Sequence, residues 1–424
     1  MVTTRPRSVL VLARHDSFLK AGLCHAQSFA CEGAQVDVII VSSRGAGLSV
    51  KQAGALGLSK VPRAQKLSQL CRREVLEAYD LVLLGLDGRH SRYFLQKFYA
   101  AFALETSRRP VVAAYYPGIL FRFHLEGMQS RMSADLVLLN SVHDCELYGA
   151  MLQGLGVAES NGIAVGLSYV GPPQPARSDG DAIVFFGQPT VPPGIHERAY
   201  LVEQLVAVAQ RHPSHRVILK PRHRPGERTL HRDRFHFDYL VASYASRYGL
   251  PTNFHLSYAP VGELLVEAAS ALTISSTAAL EALACGVPTH ILTDFGIHEN
   301  LGNHFFLGSG LFATFEEIRP DMPCVVESTW SRTHIKPGIG NEHVLVSAVG
   351  SLLQQRSERG ELPLRTKRLL GRSRSFREFA DREFGPAALA EFDARRLRGS
   401  SLAWLGHRLR ATVRRVVGRE GGSV

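Results

Sequence analysis

The chain has six cysteines, Cys24, Cys31, Cys71, Cys145, Cys285 and Cys324, scattered with no C-x-x-C pair. That spacing excludes a zinc module and a disulfide framework, and leaves reduced thiols packed as small apolar groups. No run approaches the ~18–20 apolar residues of a membrane span. The apolar run near the N-terminus, Val9–Ala13, is only strand-length and ends at Arg14-His15-Asp16, which does not fit a secretory leader. A cytoplasmic protein is the expectation. No G-x-G-x-x-G follows the first strand pattern, which argues against a nicotinamide or flavin dinucleotide. His143, His290, His298 and His304 show neither H-x-x-x-H nor H-E-x-x-H spacing, so no metal site is expected. Asp179-Gly-Asp181 has D-x-D form but reads as a turn before a strand. No G-x-S-x-G elbow of a serine hydrolase is present. No cofactor is expected.

Lysine is scarce: eight of the 49 basic residues, the other 41 being arginine, against 38 acids and a net charge of +11. The excess favours an anionic partner. Few aromatics interleave the basic runs and no nucleic-acid-binding module is recognised, so nucleic acid ranks low as that partner.

Short, nearly continuous apolar runs are plentiful. Val9–Ala13, Gln35–Ser42, Ala78–Gly85, Pro110–Tyr116 and Ala134–Asn140 read as buried strands, with helices over Lys20–Glu32 and Tyr93–Glu105. Gly166–Asp181, with Pro172, Pro173 and Pro175, reads as a linker. Strands then recur at Ala182–Phe186, His215–Lys220, Thr252–Leu256, Ala271–Ser275 and Thr289–Thr293. Helices over Ile195–His212, Phe237–Gly249, Val261–Ala269 and Thr277–Cys285 separate them. Alternation of this kind builds parallel sheets covered on both faces. The expected division is 1–168, a linker 169–182, a second α/β unit 183–360 and a basic helical tail 361–424. In that tail Leu402, Leu405, Leu409, Val413 and Val416 recur at helical spacing among arginines, making 400–417 a candidate membrane-surface helix. A helix packed on the protein's own surface, or on a second subunit, gives the same pattern.

Ligands of doubly wound sheets bind beyond the strand carboxyl ends, so residues just after strands are the candidates. Ser275, Ser276 and Thr277 lie where a strand gives way to a helix, a place suited to phosphate. An ordinary Ser/Thr helix cap reads the same way. Lys220, Arg222 and His223 follow another strand and can neutralise a phosphate leaving group. Gly187 and Gln188 end a third strand, and Glu281 is placed to bond a ribose hydroxyl. Asp87, after Leu84-Gly-Leu, can accept a proton from an attacking hydroxyl, with Arg89 and His90 holding it ionised. Asp16 is the rival base, and helix capping is its plain alternative.

Leu86-Asp87-Gly88, the Lys220-Pro-Arg-His-Arg-Pro225 run and Ser275-Ser276 followed by Gly286-Val-Pro288 resemble bacterial glycosyltransferases of the GT-B architecture. The shape is similar to capsule-type sialyltransferases, polysialyltransferases and Kdo transferases, and to a group of actinobacterial glycosyltransferases of undefined substrate. One acid of the sialyltransferase acidic-acidic-Gly motif is replaced here, and no His-Pro dipeptide occurs in the Lys220 run. The resemblance implies two facing Rossmann-like domains and metal-independent, inverting transfer. It implies a nucleotide-sugar donor, CMP-activated in the nearest families, and a glycan or lipid-linked acceptor. The nucleotide would sit on the second unit and the acceptor on the first. A nucleotide-sugar epimerase of the same architecture and a noncatalytic scaffold of polysaccharide assembly are the competing expectations.

Overall fold

In a computed structural model the described residues are 5–42, 48–119, 124–167, 179–227, 233–320, 322–335 and 342–365. The apolar runs pair side by side as two wholly parallel sheets. The first contains β1 (Ser8–Ala13), β2 (Gln35–Ser42), β3 (Arg63–Lys66), β4 (Leu81–Gly85), β5 (Val111–Tyr115), β6 (Leu136–Leu139) and β7 (Gly162–Ala164). Their spatial order is β3-β2-β1-β4-β5-β6-β7. The second contains β8 (Ala182–Phe186), β9 (Arg216–Lys220), β10 (Phe254–Leu256), β11 (Ala268–Thr273), β12 (Thr289–Leu292) and β13 (Phe312–Ala313), in the order β10-β9-β8-β11-β12-β13. Both sheets are doubly wound, as the run pattern predicts. β1, β4, β5 and β8 are buried along almost their whole length because helices cover both faces.

Strand order reverses once in each sheet. The reversal lies between β1 and β4 in the first sheet and between β8 and β11 in the second. Crossovers leave on opposite faces there, which opens a crevice beyond the carboxyl ends. The loops after β1 and β4, and after β8 and β11, therefore hold the ligand-accessible positions.

Element limits shift where local chemistry intervenes. The expected helix over Val261–Ala269 stops at Val266, and β11 starts already at Ala268. Ala268 and Ser270–Leu272 pair with β8, and the backbone ladder captures residues whose apolar spacing suits a helix equally well. At the other end β11 stops at Thr273 rather than Ser275: the Thr273 hydroxyl donates to the Phe186 carbonyl and accepts the Ser276 N–H at 3.1 Å, turning the chain.

The helix Glu342–Arg359 follows the second sheet in sequence yet packs elsewhere. Its Leu345, Val349 and Leu353 join the core formed by β1, β5 and the helix Asp16–Cys31. Arg109 fixes this return. Buried at 0% exposure, it holds Asp135 with two bonds of 2.7 and 2.8 Å and donates to the carbonyls of Leu362 and Pro363. A smaller core joins the two sheets' units directly, with Ile119 and Leu167 against Leu280, Phe306 and Trp330. Among the described residues no helix is long and apolar enough to cross a membrane. The candidate helix at 400–417, and the tail beyond residue 365, lie outside the described residues. The described cysteines are all free thiols.

Candidate functional site

β1 and β4 are neighbours in register, Ala13 opposite Gly85, so the residues that follow each strand meet. Gly85 has a steric reason: a Cβ there would lie 2.0 Å from the Tyr115 hydroxyl, which crosses above it to donate to the Phe18 carbonyl. Two residues later Asp87 caps the helix Gly88–Ala101, its carboxylate accepting the His90 N–H at 3.3 Å. His90 Nδ1 lies 2.9 Å from both carboxylate oxygens, and Oδ2 also accepts from the Arg14 guanidinium. Burial raises the Asp87 pKa, but His90 and Arg14 outweigh it and hold the carboxyl well below the usual range. Arg14 thus fills the role expected of Arg89, whose side chain is exposed on the helix. The Leu86–Gly88 turn is also supported from beneath. Arg131, buried, donates to the carbonyls of Leu86, Tyr115 and Gly127 and lies under the Tyr116 ring. Burial lowers its pKa to about 10.

In the second sheet Gly187 and Gln188 follow β8. Gly187 N–H donates to the Lys220 carbonyl, and a Cβ on Gly187 would meet the Phe237 ring at 3.0 Å. Gln188 Oε1 accepts from both the backbone N–H and the hydroxyl of Ser275 at 3.1 Å. Ser275 is 2% exposed, and its hydroxyl is also in bonding range of the Leu301 carbonyl. It braces the crevice instead of presenting a hydroxyl to it. Ser276 is half-buried, and its oxygen accepts the Ala278 N–H at 3.2 Å, which leaves its own hydrogen to donate. Thr277, half-buried, precedes the helix Ala278–Ala284. The buried Arg198 guanidinium ties the carbonyls of Gln188, Pro189 and Pro192 to Asp233 and Phe235 and sets the loop's path.

At the end of β9 Lys220 is half-buried, its Nζ donating to the Pro221 carbonyl at 3.3 Å, and Arg222 is exposed, whereas His223 turns inward. His223 is 9% exposed, with Nδ1 donating to the Arg224 carbonyl. Its carbonyl accepts from His236 Nε2 at 2.7 Å, so His223 acts as a loop staple. Burial and the charge of Arg222 lower the Lys220 pKa to about 8, against the opposing pull of Glu281. Burial raises the Glu281 pKa, with Lys20, Arg222 and Lys220 pulling it back down.

The two sheets' sites touch. Asp16, at the start of the helix after β1, lies 3.3 Å from the Arg222 guanidinium. One turn on, Lys20 lies 3.7 Å from Glu281. Asp16, Arg222, Lys220 and Glu281 are thereby gathered in one place, with Lys20 added, a residue that sequence reading did not single out. Asp87 stands on the first unit beside Arg14, two residues from Asp16. The Asp179-x-Asp181 pair is elsewhere: Asp181 is engaged by Arg216.

Two facing doubly wound parallel sheets, with both reversal points turned to a shared cleft, define a GT-B fold. The chain belongs to the family described as "Putative glycosyltransferase (DUF6716)", which matches residues 9–341. No curated protein matches it in sequence. Among solved structures it is similar to UDP-GlcNAc 2-epimerase from Methanocaldococcus jannaschii, with 12% identity, TM-score 0.52, and coverage of 80% of this chain and 98% of that one. The same organism's enzyme in complex with UDP-GlcNAc and UDP gives 14% identity, TM-score 0.50, and 83% and 99% coverage. A Listeria monocytogenes protein described as a putative UDP-N-acetylglucosamine 2-epimerase gives 13%, 0.50, and 85% and 98%. At these identities the likeness is one of fold.

Proposed function

We propose that the chain transfers a sugar from a nucleotide-sugar to a hydroxyl of a glycan or lipid-linked acceptor, by direct displacement with inversion. The observation that carries this reading is the contact between Asp16 and Arg222, which brings the start of the helix after β1 against the loop after β9. On the second unit, Lys220, Arg222 and the Ser276–Thr277 turn would hold the departing phosphate. Gly187, Gln188 and Ser275 would shape the crevice, and His223 would fix the basic loop from within. Glu281 would bond a sugar or ribose hydroxyl. On the first unit the Asp87 cluster would supply acid–base chemistry, with Asp16 as the rival carboxylate. Fixed cations at the leaving oxygen act through preorganised electrostatics, which costs no rearrangement during reaction. A CMP-activated donor is the finer reading, supported by the resemblance of Leu86-Asp87-Gly88, the Lys220-Pro-Arg-His-Arg-Pro225 run and Ser275-Ser276.

The test is a thermal-shift panel of CMP, CDP, UDP, GDP and their sugars. A ligand at about 100 times its Kd stabilises by about 2.7 kcal/mol, which reads as a shift of a few degrees. A shift with one nucleotide series, lost in Arg222→Gln, supports the reading; no shift with any of them removes it. Incubation of the chain with UDP-GlcNAc alone separates transfer from epimerisation, because an epimerase needs no acceptor.

A further inference from the structure

The atoms around Asp87 fix more than its charge. His90 Nδ1 lies 2.9 Å from Asp87 Oδ1. Nδ1 also lies 3.3 Å from Arg14 Nη1, which can only donate. The shorter contacts are to the charged carboxylate, where two lone pairs at 2.9 Å would repel, so Nδ1 carries the hydrogen and donates it to Asp87. Arg14 donates to Asp87 Oδ2, which His90 Nδ1 also approaches at 2.9 Å. Asp87 also accepts the His90 backbone N–H, so both its oxygens are engaged. With Nδ1 protonated, Nε2 of the neutral ring is a bare acceptor. It has no protein hydrogen bond among the described residues and is not a buried orphan, so it opens to solvent on a side chain 22% exposed. His90 sits in the first turn of the helix after β4, beside the reversal point of the first sheet.

From this geometry we propose that His90 Nε2 takes the acceptor's proton and that Asp87 is a positioning residue which fixes the His90 tautomer. The proposal rests on the transferase reading above and changes which atom moves the proton. The acceptor O–H bond breaks to Nε2 while the acceptor oxygen bonds to the anomeric carbon. The bond from that carbon to phosphate breaks, and its electron pair leaves with the phosphate held by Lys220 and Arg222. The imidazolium formed on His90 is stabilised by Asp87 and returns its proton to water. Asp87 is ill suited to take the proton itself, since protonation would remove the negative charge that strengthens its bonds to Arg14 and His90.

The test uses the full chain and its His90→Gln and Asp87→Asn variants. Nucleotide release from CMP-sialic acid, UDP-GlcNAc and GDP-mannose is followed over about two pH units either side of neutral, water standing in for the acceptor. Calorimetry with CMP, UDP and GDP tracks binding. His90→Gln should lower kcat by about 10²-fold or more, with nucleotide affinity within about twofold of the parent, and remove the acid limb of the pH–rate profile. Nitrogen-15 NMR of the imidazoles should show His90 protonated at Nδ1, and Asp87→Asn should mix the tautomers. The proposal is overturned if His90→Gln keeps turnover within about threefold while Asp87→Asn abolishes it. An Nε2-protonated His90 in the parent overturns it as well, and the tautomer decides alone if release in water is too slow to follow. A parent that binds none of the three nucleotides sinks the transferase reading, and this proposal with it. Failure of the tautomer or variant arms at intact binding sinks the proposal alone.

Discussion

At the scale of single residues the site is a set of charges whose protonation is set by burial and by one another. Lys220 is the clearest case. With its pKa lowered to about 8, its cation is present below that pH and lost above it. Donor affinity should therefore weaken as pH rises through about 8, measured by calorimetry with the nucleotide that binds. Lys220→Gln should remove that pH dependence and cost about 1.5–3 kcal/mol of binding, the range for a charge-assisted hydrogen bond. Arg14 shows why sequence proximity misleads. Arg89, two residues from Asp87, lies on the exposed side of its helix, whereas Arg14, 73 positions away, reaches the carboxylate because β1 and β4 are paired. The inward turn of His223 and the burial of Ser275 have the same origin: their types suit phosphate binding, but only packing decides which way they face.

At the scale of elements, two features invite disruption. Gly85 ends β4 under the Tyr115 ring, with 2.0 Å available to an added Cβ. Gly85→Ala should destabilise by about 1–3 kcal/mol through overpacking and displace the turn that carries Asp87. Urea unfolding reads the first effect and loss of turnover the second. The helix Asp16–Cys31 carries His25 into the core, T-shaped against Tyr115, where burial lowers its pKa to about 4. A buried imidazole with a depressed pKa favours the native state fully only above its unfolded value, near 6.5. Stability should thus fall as pH drops from about 6.5 towards about 4, and His25→Phe should flatten that slope in urea melts across the same range. Stacking of His143 on His334, whose pKa is likewise lowered to about 4, by burial and then by the charge of His143, adds to this acid sensitivity where two helices meet.

At the scale of the whole molecule, the chain passes from the first unit to the second and returns. Asp135 anchors the return through Arg109, and the pair is buried. Asp135→Ala leaves a buried guanidinium without its carboxylate and should cost about 3–5 kcal/mol, read from chemical unfolding. On the cleft side the units are joined by Asp16–Arg222 and Lys20–Glu281, both partly solvated. Such pairs contribute about 0–1 kcal/mol each and weaken with salt, so they can yield to a phosphate. The charge reversal Asp16→Arg should enlarge the radius of gyration seen by X-ray scattering at low salt. Adding Arg222→Asp should restore it.

The apolar runs and the breaks between them determined by themselves that this chain forms two parallel, doubly wound sheets. Strand formation needs only a short stretch that can be buried on both faces, and that property is local. They also determined that Asp16, Asp87, Gly187 and Ser276 fall just after strands and that Lys220 ends one, because a strand's end is marked where its apolar run stops. Strand order, and with it the placing of Arg14 against Asp87, was decided by tertiary structure. So were the pairing of Lys20 with Glu281, the inward turn of His223 and the return of the helix Glu342–Arg359 to the first core. Each depends on which strands become neighbours and which crossover covers which face, and those choices follow from packing between segments far apart in the chain.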